Sequence, residues 1–230
     1  MSGFIHDASL NLPTLTQHNA ATGRVYRVED GPHAGEEYPS ITRVLGSAPK
    51  PWLKKWQERV GIEEARRISQ QATSRGTALH TLSEHYLDNN TEKYDAAYER
   101  AEIPVRELWS KLRPWLHTHV TRIYGLEASL YSHQLKVAGR TDMIAEVDGV
   151  LSIVDFKNSR RPKSEGQVQD YYLQGTFYAC ALFEMTGRKV DRIIFPVVSP
   201  ERLQIFETKA GANFDRLRTR IEEFYKPTLF

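Results

Sequence analysis

Residues 139–158, GRTDMIAEVDGVLSIVDFKN, contain two strand-like segments on either side of an Asp-Gly dipeptide at 148–149. An Asp-Gly pair between such segments is a strong signal for a β-hairpin with a two-residue turn. In the register that this turn imposes, Asp142 lies directly opposite Asp155. Alternation along the second strand then places Asp155 and Lys157 on the same face. The sequence therefore predicts a hairpin that presents two carboxylates and a lysine together.

Two carboxylates that face each other on one hairpin repel. There are two interpretations of how the protein relieves this repulsion. In the first, the strand face is solvated and Lys157 pairs with one of the aspartates. In the second, the carboxylates form a divalent metal site, because hard cations such as Mg²⁺ take carboxylate, water and phosphate oxygens. A cation there would polarise a phosphoryl group and activate water, and the lysine would stabilise developing charge. The residues alone leave both explanations open.

The segments around the hairpin indicate the fold class. Residues 62–88 have helical periodicity, and residues 96–124 read as helical with interruptions near Pro104 and Pro114. Residues 1–38 look loosely structured apart from a small hairpin. After residue 126, strand-like segments are followed by a helix, two more strands and a closing helix. This order favours an α/β or α+β domain with a mixed central β-sheet flanked by helices.

Length and composition are those of one ordinary globular domain. The chain has 230 residues, of which 31 are basic and 29 acidic, so contacts with nucleic acid must depend on local patches. A single cysteine, Cys180, excludes an internal disulfide and any zinc or iron–sulfur site built from several cysteines. The sequence contains no long apolar run, no P-loop for ATP and no recognisable targeting signal. We therefore expect neither membrane insertion nor ATP use, and a cytoplasmic location.

Several short motifs follow one another along the chain in a recognisable order. They are PSITRVL at 39–45, RGTALH at 75–80, GRTDMIA at 139–145, VDFKNS at 154–159 and QGTFY at 174–178. The last four resemble the G-x-x-x-H, D…(D/E)xK and QxxxY motifs of the PD-(D/E)xK nuclease superfamily, in its RecB-like exonuclease branch. The first is similar to a segment of the mitochondrial genome maintenance exonucleases and their phage relatives. This resemblance implies a restriction-endonuclease-like core with an N-terminal helical region.

The resemblance also implies roles for the residues of the predicted hairpin. Asp142 and Asp155 would be catalytic residues that hold Mg²⁺ or Mn²⁺, together with the backbone carbonyl of Phe156. Lys157 would position or activate the attacking water. The usual proline before the first aspartate is Thr141 in this chain, which is a common variant in the branch.

Four positions outside the hairpin resemble further parts of the same site. His80 would add a metal ligand, unless it pairs with Glu84 one helical turn further on. Glu127 matches an acidic position that holds a second metal or supports the site, unless it is merely an exposed glutamate at a strand edge. Gln174 and Tyr178 lie on one helix face, which the family places beside the catalytic lysine or the DNA. Ordinary helix packing is the alternative for both.

Nucleic-acid contacts are expected from the N-terminal helical region and from the basic residues that follow the DxK motif. In the first region, hydroxyl groups and basic residues are interleaved with tryptophans, and phosphate charge combined with base stacking is typical of single-strand binding. A helix that buries its tryptophans and solvates its lysines is the alternative. The predicted contacts are Ser40, Thr42, Trp52, Lys54, Lys55, Arg75, Arg160, Arg161 and Lys163.

Residues and resemblance together predict a metal-dependent deoxyribonuclease, an exonuclease that acts on the free ends of single-stranded DNA. The chain would be one nuclease domain, with an N-terminal extension at 1–38, a helical DNA-binding part at 39–125 and a catalytic core at 126–230. A structure-specific endonuclease of the same fold and a non-catalytic DNA-binding partner in recombination or repair are the alternatives. An RNA-binding module is disfavoured, because no RNP-type aromatic pattern is present. We expect the protein in a bacterial or phage-infected cell.

Overall fold

The computed structural model describes residues 3–226, apart from the side chain of Trp52. The strands are β1 (Ile5–His6), β2 (Leu15–Ala20), β3 (Gly23–Val28), β4 (Glu37–Pro39), β5 (Val120–Ser132), β6 (Val137–Val147), β7 (Val150–Val154), β8 (Lys157–Asn158), β9 (Arg192–Val198) and β10 (Leu203–Lys209). The helices are α1 (Ile41–Gly46), α2 (Pro51–Val60), α3 (Ile62–Leu87), α4 (Thr91–Arg100), α5 (Ile103–His119), α6 (Gln169–Thr186) and α7 (Phe214–Tyr225).

The central sheet is mixed, as predicted. Its order is β1-β5-β6-β7-β9-β10, with β8 alongside β9. Strands β5, β6 and β7 are antiparallel neighbours and β10 is antiparallel to β9, whereas β1 runs parallel to β5, and β7 and β8 run parallel to β9. The described residues thus confirm an α/β fold around a mixed central sheet flanked by helices, consistent with a restriction-endonuclease-like core.

The predicted hairpin forms in the expected register, from the pair Val147–Val150 as far as Met143–Val154. The ladder ends one pair before the two aspartates, because the chain leaves β6 there and the Asp155 N–H donates to Ile194 O on β9. The predicted alternation still holds beyond that point. Asp155 and Lys157 line one cavity, whereas Val154 belongs to the core on the opposite face of the sheet.

Helices cover both faces of the central sheet and create two cores. On one face, α1 and α6 bury Ile41 and Phe177 against the strands, and α7 packs on these two helices and adds Leu217 to the same core. On the other, α3 and α5 bury Leu79 and Leu112. Burial of apolar helix surface on both faces stabilises such a sheet. Side chains from either layer can therefore reach the strands that carry the hairpin carboxylates.

A second, three-stranded sheet forms from β2, β3 and β4. The pairing of β3 with β4 is the small hairpin expected near the N-terminus. Strand β2 was not predicted, because its largely exposed sequence LTQHNA lacks apolar alternation. The expectation of loose structure is therefore wrong for this segment. Tyr26 and Tyr38 pack this sheet against Tyr131 of β5 and Ala138 of β6.

The helix ends follow the sequence signals at several points. Ser40 caps α1 by accepting the N–H of Arg43, and Gly187 ends α6 with a left-handed φ of 72°. The expected interruption at Pro114 is wrong, since α5 continues through that residue. Pro114 and Ser110, whose carbonyl loses its helical partner, are both exposed, so water can satisfy that carbonyl.

The two ends of α5 need separate comment. Residues 120–124 belong to β5 and not to the predicted helix. Pro104 lies in the first turn of α5, where its missing N–H costs nothing.

No helix within residues 3–226 is both long enough and apolar enough to cross a bilayer.

Candidate active site

A cavity of about 190 Å³ lies beside β6 and the end of β7, where the two helical layers reach the same strands. Helix α3 contributes one of its side chains from one layer, and α6 contributes two from the other. The cavity is lined by the predicted residues His80, Glu127, Asp142, Asp155, Lys157, Gln174 and Tyr178. Residues separated by up to 98 positions in sequence are thus brought together by the fold.

His80 and Asp142 form the contact at the centre of the cavity, with 3.0 Å between Nδ1 of the imidazole and Oδ1 of the carboxylate. The other oxygen of Asp142 accepts the backbone N–H of Phe156 at 2.5 Å. Burial disfavours the charged imidazole, but the charge and hydrogen bond of Asp142 outweigh it and raise the pKa of His80. His80 therefore pairs with a carboxylate of the predicted site, and not with Glu84.

Glu127 reaches the same cluster from β5. Its neighbours pair as Leu126–Met143 and Ala128–Thr141, so the register places Glu127 opposite Asp142. Its φ of 47° is in the left-handed region, which non-glycine residues rarely adopt and which is often found at functional sites. Burial and the nearby Asp142 raise the pKa of Glu127 to about 6.

The donor set fits a divalent cation. One potential ligand atom from each of His80, Glu127 and Asp142 lies within 4.8 Å of the other two. Carboxylates and imidazole are both ligands of divalent metal ions in proteins. Asp155 is not part of this group of three, although it lines the same cavity. Phe156 contacts the cluster through its backbone N–H, and its carbonyl as a ligand stays a prediction.

Asp155 and Lys157 form an ion pair through Oδ2 and Nζ at the edge of the cluster. The Asp155 side chain is only 3% exposed, so its charge is shielded from water by the fold. Burial lowers the pKa of Lys157, against the opposing effect of the Asp142 carboxylate. The pair places a desolvated ammonium group beside the carboxylate cluster, where it can interact with an anion that enters the cavity.

Gln174 and Tyr178 connect α6 to this pair. The Gln174 side-chain amide donates to Asp155 Oδ1 at 3.4 Å and to the Tyr178 hydroxyl at 2.8 Å. The Tyr178 hydroxyl in turn donates to the backbone carbonyl of Arg140 at 2.7 Å. These two residues therefore hold the strand that carries Asp142 and the carboxylate of Asp155 relative to one helix.

The predicted nucleic-acid contacts fall into separate places. Ser40 and Thr42 line the cavity itself. A second depression, of about 700 Å³, is here termed the basic groove. It lies between α2, α3, the segment after β8 and the start of α6. Its lining includes Trp56, Arg59, Arg160, Arg161, Lys163 and Tyr171. Lys54 and Lys55 are exposed on α2, Arg75 is half-buried on α3, and none of them lines either feature. The Trp52 side chain lies outside the described residues.

Three polar residues of the cavity were missed by sequence reasoning. Arg24 and Tyr26 reach the cavity from β3, and Arg140 reaches it from β6, where its Nε lies 2.9 Å from Glu127 Oε2. The position of Arg140, two residues before Asp142 on the same strand, was a usable signal for a shared face. No local signal marked Arg24 or Tyr26, because they belong to a different sheet.

The comparison with known families assigns the fold to one superfamily. The family model of the PD-(D/E)XK nuclease superfamily matches residues 25–227, and the chain belongs to that superfamily. Divalent metals are typical of this superfamily.

The chain is also similar to a curated relative. Mitochondrial genome maintenance exonuclease 1 of Mus musculus is 27% identical over 133 residues. This match covers 54% of the present chain and 38% of the mouse protein, so the chain spans well under half the length of that relative.

Solved structures overlap with the fold more loosely. The crystal structure of SSO0001 has a TM-score of 0.43 and 16% identity, over 84% of this chain and 77% of that chain. The crystal structure of Rai1 from Scheffersomyces stipitis has a TM-score of 0.33 and 11% identity, over 97% of this chain and 59% of that chain.

Proposed function

We propose that this nuclease is a metal-dependent deoxyribonuclease that hydrolyses phosphodiester bonds from the free ends of single-stranded DNA. The observation that carries the proposal is the cluster of His80, Glu127 and Asp142 beside the buried Asp155–Lys157 ion pair. Two carboxylates and an imidazole around one point can hold a cation, and a desolvated lysine next to them suits an anionic phosphate ester.

The residues around the cluster would divide the work between them. His80, Glu127 and Asp142 would hold Mg²⁺ or Mn²⁺, with Asp155 and the Phe156 carbonyl as the further predicted ligands. When bound, the cation would supply Lewis acidity and an activated water. Lys157 positions the attacking water or the phosphate oxygen, and its pairing with Asp155 keeps its ammonium group at the cavity. Gln174 and Tyr178 orient Asp155 and the strand that carries Asp142.

Two considerations support DNA as the substrate and a free single-stranded end as the point of attack. The mouse relative is a genome maintenance exonuclease by name. In addition, the region 39–125 contributes Arg59 to the basic groove, and His80 comes from its helix α3. We propose this region as the DNA-binding part and residues 126–230 as the catalytic core, with 1–38 as an N-terminal extension that supplies Arg24 and Tyr26 to the cavity.

The decisive experiment compares DNA topologies. Purified protein is incubated with end-labelled linear single strands, circular single strands and blunt duplex, each with Mg²⁺, with Mn²⁺ or with EDTA, and without ATP. We expect rapid degradation of linear single strands, much slower attack on blunt duplex and little attack on circles, only with metal. Circles cut as fast as linear strands would favour the structure-specific endonuclease. Absence of cleavage combined with tight DNA binding would favour the non-catalytic partner.

The non-catalytic alternative conflicts with the composition of the cavity. A protein that only binds DNA has no reason to concentrate three carboxylates, Glu127, Asp142 and Asp155, where a phosphate must approach.

We also propose a cellular compartment for the protein. The sequence favours the cytoplasm of a bacterial or phage-infected cell, whereas the mouse relative carries a mitochondrial name.

A further inference from the structure

The basic groove begins at the catalytic lysine. Lys157 Nζ lies 5.5 Å from the ring centroid of Tyr171, and Tyr171 is one wall of the groove. The next residue along β8, Asn158, also lines the groove. A strand whose phosphate lies at Lys157 would therefore place its adjoining nucleotide against Tyr171.

The groove carries positive charge that the protein itself does not neutralise. Within residues 3–226, Arg59, Arg160, Arg161 and Lys163 have no ion-pair partner among the salt bridges of the structure. The one acidic residue of the lining, Glu64, is occupied by the Arg67 guanidinium through two bonds of 2.8 and 2.7 Å. The lining is thus suited to an anionic ligand.

The backbone that presents these cations is held in place. The Gln204 side chain both accepts from the Lys163 N–H, at 2.7 Å, and donates to the Lys163 carbonyl, at 3.0 Å. Ser159 donates its hydroxyl to the carbonyl of Arg161 at 2.6 Å, and its N–H bonds to Val198 on β9. A segment fixed at both ends with free basic side chains is preorganised for binding.

The groove also offers aromatic surface. Trp56 lies on its α2 side and Tyr171 on its α6 side. Phe195 packs against the Tyr171 ring with 5.8 Å between centroids, which holds that ring in position. Unpaired bases stack on such rings, whereas a base within a duplex has both of its faces covered.

We propose that the basic groove binds the nucleotide next to the scissile phosphate of a single strand, with the base stacked on Tyr171 and the adjoining backbone phosphates held by Arg160 and Arg161. The inference rests on the proposed function, because it takes the cavity as the place of cleavage. It makes Tyr171 a positioning residue and assigns to the groove the selection of unpaired strands.

The test measures binding without cleavage. Oligothymidylates with one 2-aminopurine are titrated with protein in EDTA, and the 2-aminopurine is moved one position at a time along the strand. We expect fluorescence quenching at one position in the wild type, its loss in Tyr171→Ala and its retention in Tyr171→Phe. Tyr98→Ala, which removes an exposed tyrosine of α4, is the matched control and should behave as the wild type. Quenching that is indifferent to Tyr171→Ala would overturn the stacking.

The charge of the groove is tested with exposed residues, so that folding is not at issue. Arg160→Ala/Arg161→Ala should weaken binding by about tenfold or more and reduce the slope of log Kd against log salt by about 1.4, since each contact on a single strand contributes about 0.7. Arg100→Ala/Lys189→Ala removes two exposed cations elsewhere and should change neither quantity. Unchanged binding in the groove variant, or equal binding of a polyglutamate of matched charge, would overturn the proposal.

A substitution cycle separates this inference from the proposed function. Replacing the stacked base by an abasic site should weaken wild-type binding by about tenfold and leave Tyr171→Ala unaffected. If the wild type cleaves linear strands but shows no such coupling, the groove assignment fails alone. If the coupling is found and no metal supports cleavage, the nuclease proposal fails, and only the stacking of an unpaired base on Tyr171 stands.

Discussion

The Tyr178 hydroxyl donates a hydrogen bond of 2.7 Å to the backbone carbonyl of Arg140, and this bond joins α6 to the strand that carries Asp142. Tyr178 is 1% exposed, and its hydroxyl also accepts from Gln174. Burial raises the pKa of Tyr178, so the hydroxyl stays protonated and keeps its donor role. The tyrosine of the QxxxY motif therefore acts on the site through a strand and a glutamine.

Tyr178→Phe should lower the free energy of unfolding by about 1–3 kcal/mol, because it removes the donor to the Arg140 carbonyl and leaves one N–H of the buried Gln174 amide without an acceptor. Urea denaturation measures the change. Tyr225→Phe is the matched control, since its hydroxyl bonds to the Lys136 carbonyl at an exposed position and should cost far less. Equal stability of Tyr178→Phe and wild type would contradict the bracing role.

Asp155→Ala and Lys157→Ala should each reduce cleavage by at least about 10²–10³-fold, since each removes a preorganised charge at the reacting phosphate. Single-turnover degradation of a linear single strand measures the rate, and circular dichroism confirms folding. Lys189→Ala, at an exposed site, should retain wild-type turnover. Near wild-type rates in both active-site variants would refute the assignment of this cavity.

Mn²⁺ should bind the metal-free protein, and Glu127→Gln or Asp142→Asn should weaken that binding by at least about tenfold, because each removes one anionic ligand. Isothermal titration measures the affinity at pH 7.5. Glu84→Gln, on the same helix as His80, changes one carboxylate outside the cluster and should bind as the wild type. Affinities that do not differ between the cluster variants and Glu84→Gln would exclude a metal site at these residues.

The choice of metal should separate binding from cleavage. Mn²⁺ should support cleavage as well as or better than Mg²⁺, since imidazole is a better ligand for Mn²⁺. Ca²⁺ should bind and raise the melting temperature but support little cleavage, because its loose coordination positions water poorly. Melting curves and product gels at equal metal concentrations provide the two measurements. Cleavage in Ca²⁺ as fast as in Mg²⁺ would contradict this role of the site.

Gly175→Ala should destabilise the fold by about 1–3 kcal/mol or more through overpacking between α6 and the sheet. A Cβ at this position would lie 2.8 Å from Phe195 Cζ and closer still to Ile193 Cγ2. Thermal denaturation measures the loss. Gly166→Ala is the matched control, because a Cβ there meets nothing within 4 Å. A melting temperature of Gly175→Ala equal to that of the control would show that the helix can move away from the sheet without cost.

Cys180 should react slowly with iodoacetamide in the folded protein. Burial and the nearby Glu184 raise the pKa of its thiol to about 11, so the reactive thiolate is a minor species at pH 8. We expect alkylation about 100-fold or more slower than for free cysteine, whose pKa is about 8.5. The rate should rise with pH towards 11 and become fast in guanidinium. Rapid labelling of the folded protein at pH 8 would contradict this environment.

The hairpin could be predicted from the sequence because its determinants are local. The turn at 148–149 and the alternation of apolar residues dictate which residues pair and which face each one occupies. The same holds for the apolar positions of α3 and for the end of α6 at Gly187. The motif residues Asp142, Asp155 and Lys157 could therefore be assigned to one face before the fold was known.

Only the tertiary structure decided which distant residues complete the site. His80 could pair with Glu84 or with a residue elsewhere, and packing of α3 against the sheet brings it to Asp142. The left-handed backbone of Glu127 and the approach of Arg24 from β3 depend on strand pairing across the chain. Local sequence carries no such information, since these positions result from how separate layers pack, and the basic groove between α2 and α6 exists for the same reason.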